Sequence, residues 1–180
     1  MMIEIKEMLD LAYENGFTKA VELDVASIQL YPDVREMCAA NKCKLYDTNW
    51  ACPPGCGTLA DCQEKIKKYK RGIIVQTTGE LEDSFDFEGM EMVKEKQKIS
   101  LDKLIHKLHD MEIKMLPLGD GCCFLCEKCT YPEKECRFPD KAVSSMEAFG
   151  ILVSDLCKLN NIKYYYGPKT LTYVGCVLFD

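Results

Sequence analysis

Residues 113–129 read Ile-Lys-Met-Leu-Pro-Leu-Gly-Asp-Gly-Cys-Cys-Phe-Leu-Cys-Glu-Lys-Cys, an apolar segment followed by a glycine turn and a group of thiols. The apolar part predicts a strand from Ile113 to Leu118. The Gly119-Asp-Gly121 turn then leads the chain into a cysteine-rich loop. The sequence therefore predicts a strand that delivers several thiols to one place, with a further helix after them.

The second of two cysteine modules, residues 122–137, contains the pattern C-x2-C-x2-C-x6-C. Its candidate ligands are Cys123, Cys126, Cys129 and Cys136. Three of these thiols lie close enough in the chain to reach three corners of one inorganic cluster, and the fourth follows. The pattern resembles the ligand runs of 4Fe–4S clusters, although bacterial ferredoxins have a shorter last gap and a proline directly after the fourth cysteine. Here Arg137 follows, so the resemblance is to the chemistry and not to the ferredoxin family.

The first module covers about residues 38–62 and supplies a second candidate ligand set. Its predicted ligands are Cys38, Cys43, Cys52 and Cys56. Pro53-Pro54 restricts the backbone after the third of them, and Gly55 and Gly57 allow it to pass close to a bound group. Cys62 is an alternative fourth ligand, but it lies on a predicted helix from about 58 to 70 and is expected to face the core. The role of Cys122, directly before the four-cysteine pattern of the second module, stays open.

Composition indicates one globular domain without a nucleic-acid or membrane partner. The chain has 180 residues, is 47% hydrophobic and carries a net charge of −6, with no basic stripe that would neutralise phosphates. No apolar run approaches the roughly 20 residues of a membrane span. The first residues lack the features of a signal peptide, so we expect a cytoplasmic protein.

The redox compartment decides how the twelve cysteines are interpreted. In the cytosol thiols stay reduced, which favours metal ligands over disulfides. Ten of the twelve fall in the two modules, whereas disulfide frameworks usually spread their cysteines. Cys157 and Cys176 lie apart among apolar neighbours and are expected to fill the core.

Alternating helix and strand patterns predict an α/β fold, a single domain with a mixed β-sheet flanked by helices. The apolar run 72–78 is typical of a buried strand, and the spacing over about 90–110 predicts a helix. Ser144 and Glu147 fit a capping box for a helix ending at Asn160-Asn161. Tyr164–Tyr166 and 171–179 predict a closing pair of strands. Both cysteine modules are expected between a strand and a helix.

Spaced motifs across residues 20–180 resemble a prokaryotic family described only as predicted metal-binding proteins. The motifs are Val34-Arg35-x-x-Cys38, Tyr46-x3-Trp50-x-Cys52-Pro53-Pro54, the four-cysteine pattern with Cys136-Arg137-x-Pro139, and Ser145-Met146-Glu147-Ala148-Phe149-Gly150. The resemblance implies that these cysteines bind metal, and it implies no particular reaction.

The spacing favours two 4Fe–4S clusters that exchange electrons with a redox partner protein, since three thiols at one spacing suit several metal corners. Structural zinc is the alternative, because four thiolates also make a tetrahedral site. In that case the chain is an interaction domain held together by metal. A third hypothesis is an enzyme or metal carrier with an open iron site. The sequence contains no catalytic motif, and His106 and His109 are expected on the surface.

Overall fold

A computed structural model describes residues 3–180 and contains one mixed sheet of five strands. The strands are β1 (Lys19–Glu22), β2 (Arg71–Glu80), β3 (Met115–Gly119), β4 (Ser144–Ser145) and β5 (Thr170–Phe179). Their order across the sheet is β1-β2-β5-β3-β4. Only β3 and β4 pair in parallel, and the other neighbours are antiparallel. The predicted fold class, a single-domain α/β fold with a mixed sheet, is confirmed.

Five α-helices flank the sheet: α1 (Ile5–Glu14), α2 (Pro32–Ala39), α3 (Leu59–Ile66), α4 (Phe87–Asp110) and α5 (Val153–Leu159). Short 3₁₀ turns cover Val25–Ser27 and Glu147–Phe149. The helix predicted over about 58–70 is present but shorter, and it starts with a full capping box between Thr58 and Asp61. No helix within residues 3–180 has the length and apolarity needed to cross a membrane.

The central strands β2 and β5 are buried on both sides because their residues are apolar without alternation. Their ten-residue pairing sets Ile74 opposite Cys176 and Ile73 opposite Val177. One face of the sheet packs against α1 and α4. The buried side chains of that layer include Met8, Leu101, Leu104, Leu108, Ile73, Val75, Val177 and Phe179.

The opposite face carries α3, α5 and part of the first cysteine module. Its buried cluster includes Cys56, Cys62, Ile66, Ile74, Met146, Phe149, Leu156, Cys157, Cys176 and Leu178. Cys62 is fully buried on α3, as the sequence predicts, and Cys157 and Cys176 fill the core. This layer therefore connects the first module directly to the hydrophobic core.

Three local predictions are wrong. Ser144 and Ser145 form the edge strand β4 instead of capping a helix, and α5 begins only at Val153 because Gly150 adopts a left-handed φ of +83° that ends the preceding turn. Tyr164–Tyr166 form no strand, so β5 closes the sheet alone. The modules also differ from expectation in position: the first lies between α2 and α3, and the second connects β3 to β4.

The Thr77 hydroxyl on β2 is fully buried and has no hydrogen-bond partner within the described residues. An unpaired buried polar group costs about 1–3 kcal/mol. We therefore expect Thr77→Val, which keeps the shape and the β-branch, to raise the free energy of unfolding by about 1 kcal/mol. Urea denaturation, followed by circular dichroism, measures this change in the free energy of unfolding.

The neighbouring residue supplies the control. The Thr78 hydroxyl is hydrogen-bonded to that of Thr172 at 2.8 Å, so Thr78→Val should lower the stability. Equal effects of the two substitutions would contradict the explanation from the unpaired hydroxyl.

Candidate metal centre

The four predicted ligands of the second module line one small cavity. Cys123, Cys126, Cys129 and Cys136 all border a space of about 30 Å³, together with Asn49, Trp50 and Arg137. Each of the four thiols is partly buried. The C-x2-C-x2-C-x6-C spacing thus folds into a loop whose four cysteines border one cavity.

This loop has no regular secondary structure and is held by hydrogen bonds from side chains to backbone carbonyls. The Thr130 hydroxyl donates to the Glu135 carbonyl at 2.8 Å, and the Arg137 guanidinium donates to the Lys128 carbonyl at 2.9 Å. Both hydrogen bonds join residues near the two ends of the stretch between the third and fourth cysteines. The six-residue gap is therefore a folded turn that returns Cys136 to the other three thiols.

The two modules touch each other. The indole N–H of Trp50 donates to the Lys134 carbonyl at 3.0 Å, and its ring packs edge-on against Tyr131, with ring centroids 4.9 Å apart. The Tyr131 hydroxyl donates to the Asp47 carboxylate. Trp50 of the first module thus lines the cavity formed by the second, and the modules form one cysteine-rich centre.

A thiol pair also bridges the modules. Cys122 hydrogen-bonds to Cys52, which lowers the pKa of Cys52 to about 6, and the same bond raises the pKa of Cys122. Asn49 fixes Cys52 from its own side, since its side-chain oxygen accepts from the Ala51 and Cys52 amides at 3.0 and 2.9 Å. One thiol of the pair ionises easily, and metal ligation requires thiolates.

The thiols of Cys43 and Cys52 lie near enough to that of Cys38 to affect its pKa. Burial raises the pKa of Cys38, and the negative charges of Glu147, Cys52 and Cys43 raise it further. Cys43 is exposed, in the turn after α2. Three of the four predicted ligands of this module are therefore neighbours in the structure.

Cys56 is instead paired with Cys62, inside the core and beside a cation. The Arg35 guanidinium lies 3.8 Å from the Cys62 sulfur and 3.9 Å from the Cys56 sulfur. The hydrogen bond between the two thiols lowers the pKa of Cys62 to about 7 and, together with burial, raises that of Cys56; Arg35 and Lys65 favour the thiolate of either one. The fourth predicted ligand thus has a different set of neighbours from the other three.

Arg35 connects three segments around this pair. Its guanidinium donates to the Gly57 carbonyl at 2.8 Å and to the Ala148 carbonyl at 3.0 Å. α2, the end of the first module and the 3₁₀ turn after β4 are joined by one side chain. Within the first module, Gly55 lets the backbone pass close to Asn49, because a Cβ there would collide with the Asn49 carbonyl.

The chemistry of the donor set fits a thiolate-bound metal or cluster. Within residues 3–180, no three Cys, His, Asp or Glu side chains are arranged as the ligands of one bound ion. The four thiols of the second module border one cavity of about 30 Å³, in a stretch, residues 120–143, that contains no helix or strand.

The histidines lie outside this centre. His106 contacts the Asp102 carbonyl at 2.8 Å and His109 contacts the Asp140 carbonyl at 3.1 Å, and both side chains are exposed. The prediction that they lie on the surface is confirmed. The titratable residues that border the small cavity of the second module therefore include four cysteines and neither histidine.

An α/β domain with a thiol-lined centre belongs to the class of cysteine-rich metal-binding proteins. The family model described as "Predicted metal-binding protein (DUF2284)" matches residues 21–179. The chain belongs to this family, and the resemblance stated from its motifs is confirmed. Comparisons with curated proteins and with solved structures gave no match.

Two contacts could not be inferred from the sequence. Trp50 stands two residues from Cys52, which predicts proximity to the first module, yet it lines the cavity of the second. The role of Arg35 as a bridge has no sequence signal besides its place in the Val34-Arg35-x-x-Cys38 pattern. Cys122 carries a sequence signal, as an extra thiol directly before the four-cysteine pattern.

Proposed function

We propose that this protein is an iron–sulfur protein that holds a 4Fe–4S cluster in the second module and moves electrons to or from a partner protein. The observation that supports this most is the convergence of Cys123, Cys126, Cys129 and Cys136 on one cavity. Each thiolate would bind a different iron, which suits three cysteines at one spacing. A tetrahedral zinc site would instead bring all four sulfurs to one ion, with the sulfurs about 3.8 Å apart for a Zn–S bond of about 2.3 Å.

A second cluster is proposed in the first module, with Cys38, Cys43 and Cys52 as ligands. Two thiols compete for the fourth place. The sequence favours Cys56, and the contact with Cys52 favours Cys122. In either case the two clusters would be neighbours, because the modules touch through Trp50 and Tyr131.

The protein around the proposed clusters would orient and tune them. When bound, a cluster supplies one-electron redox chemistry. The chain contributes the cation of Arg137, amide groups of the loop and the aromatic cover of Trp50, which limits access of water. Hydrogen bonds, nearby charge and burial are the means by which proteins set cluster potentials.

Zinc is a second candidate because the long stretches 40–57 and 120–143 contain no α-helix or β-strand. A metal that cross-links them would contribute directly to folding. Under this alternative the protein is an interaction domain, colourless and without a redox response. Chelation would then unfold the two modules.

Analysis of metal and sulfide in protein purified without oxygen decides between these functions. We expect brown protein with about four iron and four acid-labile sulfide per cluster, bleached by dithionite. The expected paramagnetic resonance signal appears on reduction. Colourless protein with stoichiometric zinc would refute the iron–sulfur proposal and support the zinc alternative.

A further inference from the structure

A groove of about 370 Å³ lies between α4 and the second module, outside the proposed cluster cavity. Its volume falls within the range of small-molecule sites, about 300–1,000 Å³. Leu101 and Ile105 of α4 line one side, and Val143, just before β4, lines another. Cys122 and Cys123 also border the groove, so a bound molecule would lie next to the metal centre.

Apolar side chains surround this groove although they are open to solvent. Phe124 is 63% exposed, Leu125 44% and Phe138 43%, and all three line it. Exposed apolar residues that cluster at a concave surface mark binding sites more often than isolated ones do. The body of the ligand is therefore expected to be apolar.

The charged side chains of the groove favour an anion. Lys94, Lys98 and Lys141 line it against two carboxylates, Asp102 and Asp120, although the whole chain carries a net charge of −6. The Lys98 ammonium lies over the Phe124 ring, 5.6 Å from its centroid. Lys94 and Lys98 make surface ion pairs with Glu91 and Glu95 at 3.2 and 4.0 Å, contacts that contribute little energy.

From this arrangement we propose that the groove binds a small organic anion with an apolar body and one carboxylate or phosphate group. The apolar part lies against Leu101, Ile105 and Phe124, and the anionic group lies near Lys98 and Lys141. This ligand does not depend on which metal the thiols hold. Its position beside Cys122 and Cys123 places it next to the proposed metal centre.

Titration calorimetry on metal-loaded protein under argon tests the proposal with three probes that share a ten-carbon chain. Decanoate is expected to bind in one-to-one stoichiometry, at least tenfold more tightly than decyltrimethylammonium, and more weakly as salt rises. Decyl phosphate distinguishes the two anionic groups: tighter binding than decanoate assigns a phosphate ester, and weaker binding a carboxylate. Equal binding of the cation, or no saturable binding of any probe, would overturn the proposal.

Two variants locate the site. A Cβ at Gly121 would meet no atom within 4 Å, so Gly121→Leu can place a side chain in the groove and should weaken decanoate binding more than tenfold. Lys98→Glu, farther along the chain from the thiols, should weaken it about fivefold, in line with the value of one partly exposed charge contact. Lys103→Glu, on the same helix but outside the groove, should leave it unchanged.

Iron analysis of each variant separates this proposal from the proposed function. Binding that depends on Gly121 and Lys98 in a protein without iron would support the groove and refute the cluster. Intact clusters with decanoate binding unchanged in both variants would refute the groove alone.

Discussion

Replacing Cys126 by serine is expected to remove an entire cluster, a loss of about four iron and four sulfide per chain. Cys126 lies between the other thiols in the chain and lines the same cavity as Cys123, Cys129 and Cys136. A serine hydroxyl is a poor ligand for this soft metal site, because it is not ionised at neutral pH. The measurement is iron and sulfide content after purification without oxygen.

The single tryptophan provides a second measurement of the same event. Trp50 lines the cavity with the four thiols, so a cluster there should quench its fluorescence strongly. Emission should be low in the wild type and should rise in Cys126→Ser towards the level of the protein after iron removal, because a cluster in the first module would still quench part of it. Unchanged emission after iron removal would contradict a cluster beside Trp50.

Cys157→Ala is the matched control for a cysteine outside the modules. Cys157 is fully buried in α5, near the amide of Gln76 at 3.8 Å, and borders neither thiol-lined cavity. Its substitution should leave iron content and Trp50 emission unchanged. Loss of iron from this variant as well would indicate that metal retention reports general stability, which would refute the ligand assignment.

Local sequence patterns predicted the elements whose contacts join residues that are close together in the sequence. The spacing of Leu101, Leu104 and Leu108 predicted α4 because a helix buries residues three and four positions apart. Residues 72–78 predicted β2 because a run of branched apolar residues suits a strand buried on both faces. The helix start predicted from Ser144 and Glu147 was wrong because β3 offers a parallel partner to Ser144–Ser145, and that pairing outweighs a capping box.

The architecture of the centre depends on long-range contacts and could not be predicted in the same way. Spacing identifies which thiols are near each other along the chain, and the four of the second module line one cavity. It does not show that Cys52 meets Cys122, or that Cys56 meets Cys62, because these contacts follow from how two loops pack. The ligand set of the first module is for this reason the part that sequence constrained least.

The largest effect on stability is expected for Arg35→Leu. The Arg35 guanidinium donates to the carbonyls of Gly57 and Ala148 at 2.8 and 3.0 Å, and leucine leaves these carbonyls only the weak donor of the Cys56 thiol, at 4.0 and 3.5 Å. Hydrogen bonds from a charged donor contribute about 1.5–3 kcal/mol each, so we expect a loss of about 3 kcal/mol or more in the free energy of unfolding. Urea denaturation of the metal-loaded protein under argon, followed by circular dichroism, measures this loss.

Two further variants show whether the geometry of Arg35 or only its position on α2 matters. Glu36→Leu introduces the same residue at an adjacent exposed position. Within residues 3–180 the Glu36 side chain makes no hydrogen bond or ion pair, so this substitution should change the free energy of unfolding by less than about 0.5 kcal/mol. Arg35→Lys keeps the charge but loses the planar fork that reaches two carbonyls and two sulfurs, so it should fall between the wild type and Arg35→Leu. If Arg35→Lys is as stable as the wild type, charge alone stabilises this junction. If Arg35→Leu is as stable as the wild type, the bridge between α2, the first module and the turn after β4 contributes nothing to the stability of the fold.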